Sequence, residues 1–194
     1  DRLDAAGAVW GAVYGWEIPL WFAPKGEEAQ DIWSYRSFNS MPHVGAECRA
    51  ARDSVGLFEM TPMAKFEARG AGTEDWLNRI LANRMPRKVG GIVLGHLLTH
   101  KGTVRSEFTV TRLCDEHFYL VGTPRGERHD FDVLQKSLPA DGSVQLTNVT
   151  AERGGLTVVG PNARDLLSSL VDGDLSNDAF PWMSAQSLTV GLAS

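Results

Sequence analysis

The stretch Gly102–Leu113 limits what this chain can fold into more than any other. Val104, Ser106, Phe108 and Val110 alternate with Arg105, Glu107, Thr109 and Thr111, the two-residue period of a strand. Ile92–Leu98 precedes it through a His100-Lys101-Gly102 turn, and Phe118–Val121 follows after a polar turn. A β-meander with Glu107 in its middle strand is therefore predicted. Glutamate is seldom buried without a partner. Glu107 is either a solvated group opposite Arg105 or Lys101, or an acid set into an apolar, β-branched strand for chemistry. His96, on the neighbouring strand, is placed to approach it.

The rest of the chain is read around this meander. Residues 1–42 carry Trp10, Trp16, Trp21 and Trp33, together with Pro19 and Pro24. The prolines remove backbone donors, and an extended aromatic arm is expected over 1–42, its tryptophans covered by this chain or by a neighbour. Residues 43–194 are expected to form one domain. Within it, helices are predicted over Val44–Val55 with Gly56 as cap, from Thr73 to Leu81, over Arg128–Gln135, and from Arg164 to Leu170 behind Pro161. Strands are predicted over Leu57–Thr61 and Ala64–Ala68, and over Val144–Thr150 and Leu156–Gly160 as a hairpin joined at Glu152-Arg153-Gly154-Gly155, with a last strand from Ala185 to Leu192. The fold class is α+β, antiparallel sheets with packed helices.

The 194 residues are 43% hydrophobic and 22% charged, with a net charge of -5 spread along the chain. That balance excludes a disordered chain and gives no basic patch for nucleic acid or an anionic membrane. No apolar run approaches a membrane span. Cys48 and Cys114 have no metal-ligand spacing and read as reduced thiols in the cytoplasm. No metal site is predicted. There is no Gly-x-Gly-x-x-Gly after a strand, no phosphate loop and no Gly-x-Ser-x-Gly elbow. His43, His96, His100, His117 and His129 are scattered. Asp1-Arg2-Leu3-Asp4 has neither an initiating Met nor a signal-peptide pattern, and reads as a cut end.

Several segments together carry a resemblance: Ala29–Arg36 with its Trp33-Ser34-Tyr35-Arg36, Val44–Leu57, Ala64–Glu67, Leu81-Ala82-Asn83, Gly102–Leu113, and Asp174–Asn177 with Phe180-Pro181-Trp182. In their order and spacing they resemble the tetrahydrofolate-binding aminomethyltransferase family, the glycine cleavage T-protein and its relatives. More narrowly, they are similar to the folate half of sarcosine and dimethylglycine dehydrogenases. The resemblance implies the folate-binding aminomethyltransferase fold, tetrahydrofolate as cofactor, and a small iminium derived from an N-methylated amine as the other substrate. FAD would belong only to a flavin domain or subunit outside this chain. Glu107 matches the position of the family's catalytic acid, usually Asp, which meets the reactive nitrogens of the reduced folate. By the same matching Leu57, Met60 and Leu97 form apolar walls of the folate site. His96 stands where the T-protein often has Tyr, and Gly122 where it has an Asn that recognises the pterin. The family's Tyr-x-Gly-Glu-x-Gly-x-Glu stretch does not occur before Ser194, so the chain is expected to hold the N-terminal portion of the fold and to be inactive by itself.

Two other functions fit the same fold: a folate-binding or assembly module without catalysis, and a folate-dependent demethylase of a sulfur compound. A carboxylate at 107 separates the enzyme from the module, which has no need of it. The aromatic N-terminal segment resembles the dehydrogenase-linked branch rather than the demethylases.

Overall fold

The computed structural model describes residues 2–191. A short helix α1 (Arg2–Ala5) leads into strands β1 (Ala8–Val13) and β2 (Trp16–Phe22), helix α2 (Met41–Asp53), and strands β3 (Gly56–Glu59) and β4 (Ala64–Arg69). Helix α3 (Thr73–Ile80) precedes β5 (Ile92–Leu98), β6 (Val104–Cys114) and β7 (His117–Gly122). Helix α4 (Glu127–Lys136), strands β8 (Gln145–Asn148) and β9 (Leu156–Val159), and helix α5 (Ala163–Ser168) complete the order. The chain divides into two compact units, one of residues 1–62 with 155–169, the other of 63–154 with 170–194.

The second unit is built on a five-stranded sheet in the order β5-β6-β7-β4-β8. Every pairing in it is antiparallel, and the meander predicted around Glu107 is its β5-β6-β7 side. One sheet face is the core. Phe66 and Ala68 on β4, Phe108 and Val110 on β6, and Phe118 and Leu120 on β7 are fully buried, under Trp76 and Leu77 of α3 and Leu134 of α4. Trp76 reaches out of this core through its indole N–H, donated to the Ser137 carbonyl at 3.0 Å. The alternation read from sequence thus sorts the two faces as a half-buried antiparallel strand must.

The first unit contains two two-stranded sheets, β1-β2 and β3-β9. Its small core joins Val9, Trp21 and Ala23 with Val44 of α2. Trp21 stacks on His43 with ring centroids 5.4 Å apart and donates its N–H to Asp31.

Three local expectations differ from the structure. Residues 8–22 form a hairpin rather than an extended arm, because Tyr14 (φ 52°) and Gly15 (φ 89°) both take the left-handed backbone that a two-residue hairpin turn needs. Tyrosine is a rare choice there, which hides the turn in the sequence. β8 and β9 do not pair as a hairpin. A 3-10 turn at Thr150–Glu152 separates them, and β8 joins β4 while β9 joins β3. Finally, residues 185–191 form no strand. Ser184 and Val190 make isolated bridges to Gly91 and Val171, and Leu192 lies outside the described residues.

Candidate functional site

Glu107 projects from β6 on the face opposite the core, between the buried Ser106 and Phe108. Across the ladder its partner is His96 of β5, and His96 Nε2 lies 2.8 Å from Glu107 Oε2. The Glu107 side chain is 55% exposed and that of His96 32%. Neither Arg105 nor Lys101 takes the Glu107 carboxylate. The imidazole engages Oε2 of the carboxylate. With Nε2 protonated, the imidazole donates to the carboxylate and holds its orientation.

Leu97 and Gly122 belong to the same unit but support the strand from beneath. Leu97 is 7% exposed and turned into the core, because neighbours on a strand point to opposite faces. Gly122 is buried, and a Cβ there would sit 2.9 Å from two ring atoms of Phe108. The space beside Gly122 is filled by Phe108, so a side chain at 122 would have to displace a packed ring. Leu57 and Met60 belong to the first unit. Leu57 is exposed on β3 and lines, with Leu20, Trp21, Val44, Phe58 and Leu156, an apolar cleft of about 500 Å³. Met60 follows β3, half-buried, its backbone N–H donated to the Gly155 carbonyl at 2.8 Å.

A second polar cluster escaped the sequence reading. Glu67 on β4 is nearly buried, its side chain 6% exposed. Arg69 donates to one carboxylate oxygen at 2.8 Å and Arg153 to the other at 2.6 Å. His117 Nε2 stands 3.3 Å from the Arg69-bound oxygen, and Arg153 lies over the Tyr119 ring. Arg153 is 86 residues from Glu67, so no local pattern announces the cluster. Burial pushes the Glu67 carboxyl up, but the Arg69 hydrogen bond and the charges of His117, Arg153 and Arg69 together hold it below its ordinary value of 4.5. Burial, then the Arg69 charge, depress the His117 imidazole below its ordinary 6.5 against the pull of Glu67.

For both groups the folded value lies below the unfolded one, so between the two values the unfolded chain binds more protons. Their stabilisation is therefore present above the unfolded value and lost as pH falls through the folded one. Acidification should weaken hydrogen-exchange protection of β4 and β7 in two stages, one beginning below pH 6.5 and one below pH 4.5. His117→Gln removes the first stage. Glu67→Gln removes the second and costs about 2 kcal/mol at pH 7, less than a fully buried pair because both guanidiniums are half-exposed.

Cys48 and Cys114 are exposed free thiols. Among the described residues no helix is long and apolar enough to cross a membrane, and no three His, Cys, Asp or Glu side chains are grouped to hold a metal ion.

Comparison with known proteins agrees with the strand pattern. Mitochondrial dimethylglycine dehydrogenase of Mus musculus is 34% identical over 177 residues, 91% of this chain and 20% of that protein. The sarcosine oxidase subunit alpha of Corynebacterium sp. strain P-1 is 35% identical over 191 residues, 96% of this chain and 19% of that one. The chain thus spans about a fifth of the length of these relatives. Among solved structures, the glycine cleavage system aminomethyltransferase T of Bartonella henselae superposes with a TM-score of 0.70 at 26% identity, over 87% of this chain and 41% of that one. The α+β fold of antiparallel sheets with packed helices is therefore that of the aminomethyltransferases. With the GCVT N-terminal domain model matching residues 1–194 from end to end, this chain belongs to the GCVT family of folate-binding aminomethyltransferase-like domains.

Proposed function

We propose that this chain is the tetrahydrofolate-binding portion of a one-carbon transferase, taking a methylene unit from an N-methylated amine such as sarcosine or dimethylglycine. The observation that carries this reading is the Glu107–His96 pair, 2.8 Å across the ladder on the open face of the sheet. A non-catalytic module has no use for a carboxylate held in this way.

The residues present fit a reduced folate. Glu107 keeps one acceptor oxygen unengaged on an open face. When bound, a reduced folate supplies secondary amine nitrogens able to form a bond to an electrophilic methylene carbon. Glu107 accepts a hydrogen bond from such an amine and orients its lone pair. It would take the proton released as the first nitrogen–carbon bond forms and the electron pair of the carbon–nitrogen double bond moves onto the donor amine, and would return it to that amine as the donor carbon–nitrogen bond breaks and a second folate nitrogen bonds the carbon, its own proton passing to solvent. His96 holds the carboxylate in place throughout. Leu97 and Gly122, from the core side, keep the strand seated beneath it.

The oxidation that makes the iminium is assigned to a flavin domain or partner subunit outside these 194 residues, since the sequence has no dinucleotide fingerprint and one relative is itself one subunit of an oxidase. Two free thiols support a reducing compartment, which this reading takes to be the cytoplasm.

The test is a titration of the full-length protein containing this chain with a reduced folate, followed by tryptophan fluorescence, together with an assay for methylenetetrahydrofolate. Saturable quenching and product formation from a methylated amine are expected. Absence of saturable binding overturns the proposal.

A further inference from the structure

The half of β6 that carries Glu107 is held by fewer ladder bonds than the other half. On the β5 edge the register shifts: Leu97 faces Ser106 while Leu98 faces Val104. Arg105 is therefore the extra residue of a bulge, two positions before Glu107. On the other edge, pairing with β7 begins only at Thr109, opposite Val121. Beyond Gly122 the chain leaves the sheet, turning through Pro124–Gly126 into α4. Glu107 thus sits beside a bulge in a segment paired on one side. Bulges re-aim the side chains near them, and a segment paired on one side needs some other hold if that aim is to be fixed.

Asp130 supplies that hold. It lies early in α4, is 1% exposed, and accepts a hydrogen bond from the Ser106 hydroxyl at 2.5 Å. The same oxygen stands 3.0 Å from His129 Nδ1. Its other oxygen, Oδ2, is buried without a hydrogen-bond partner, and sits where a Cβ on Gly126 would be, at 2.3 Å. A buried carboxylate oxygen left unpaired costs stability. A tie between α4 and β6 made only for stability would be better served by a neutral acceptor.

We infer that Asp130 is a positioning residue for Glu107: by gripping Ser106 from the core side it fixes the bulged segment so that Glu107 meets His96 across the ladder. Glu107 and Ser106 are consecutive, so a shift of the Ser106 backbone is transmitted directly to the aim of the carboxylate. The kinetic part of the inference rests on the folate reading above; the geometric part does not.

The experiment uses Ser106→Ala, Asp130→Ala and Asp130→Asn in the full-length protein, with crystal structures and transfer kinetics for each. In Ser106→Ala and Asp130→Ala the 2.8 Å His96–Glu107 contact is lost, whereas Asp130→Asn, which keeps an oxygen acceptor for Ser106, retains it. With reduced folate saturating, kcat falls about tenfold in the two alanine variants, the scale of a small misplacement of a reacting group. Folate affinity stays within about twofold, because binding and chemistry are separately read. Asp130→Ala added to Glu107→Gln lowers kcat no further, since the two act through one group.

The inference is overturned if the contact stays at its wild-type length in both alanine variants, or if the losses multiply in the double variant. Should Asp130→Ala fail to fold, Ser106→Ala, which deletes a single hydroxyl, gives both readings. Wild-type protein that binds no folate would end the functional proposal, and the contact length would still decide the positioning.

Discussion

Glu107→Gln is expected to lower kcat for one-carbon transfer by roughly 10²- to 10⁴-fold, the usual worth of a placed general base. Folate affinity should change little. Glutamine has the size and shape of glutamate and its amide oxygen still accepts from His96 Nε2, so the 2.8 Å contact across β5 and β6 has no reason to open. What the amide lacks is the capacity to take a proton. The loss therefore falls on the chemical step, visible as equal declines in kcat and kcat/KM. Glu107→Asp should fall between the two: the proton acceptor survives, one methylene further from both His96 and the amine. A decline confined to KM would remove Glu107 from the chemistry and leave it a binding group.

Phe108→Ala should cost the second unit about 3–5 kcal/mol, the range for deleting a fully buried phenyl ring. Phe108 has no exposure. It meets Phe66 edge-on with ring centroids 6.2 Å apart, and its ring fills the space that Gly122 leaves open. The ring lies inside the packed core cluster, so its removal leaves a cavity that adds to the lost burial. Hydrogen exchange of the β6 and β7 amides, compared with the wild type, reads the loss locally. Adding Gly122→Ala to Phe108→Ala should recover part of it, whereas Gly122→Ala alone, pressed against the ring, should destabilise.

The antiparallel core sheet was legible because period-two alternation in β6 and the Gly102 turn are local, and a turn brings residues such as His96 and Glu107 opposite each other without help from the rest of the chain. Leu57, Met60, Leu97 and Gly122 came only through family resemblance, which names positions but not the face a side chain takes. Leu97 shows the difference: one step along the strand from His96, it lies in the core. The expected β8-β9 hairpin does not form for a related reason. Two short β-rich runs around Gly154-Gly155 have a hairpin's composition, but each strand's partner lies far upstream, and local pattern carries no trace of that choice. In sequence Asp130 is one more charged residue within the helix predicted over Arg128–Gln135. Nothing in its neighbours in sequence reveals that its carboxylate is buried against Ser106, 24 residues away.

The pairing of β3 with β9, Gly56 opposite Val159 at one end and Glu59 opposite Leu156 at the other, has a consequence for how the protein is made. On the ribosome β3 emerges long before its partner. Translation at about 5–20 residues per second leaves it waiting for on the order of 5–20 s while roughly 100 further residues are added. For that interval the apolar side chains of Leu57 and Phe58 sit on an unsatisfied strand edge, a template for any other extended segment nearby. The whole of the five-stranded sheet is synthesised within the same window. Its strands can pair among themselves first, so β3 meets its partner only after the strands of that sheet have all been made.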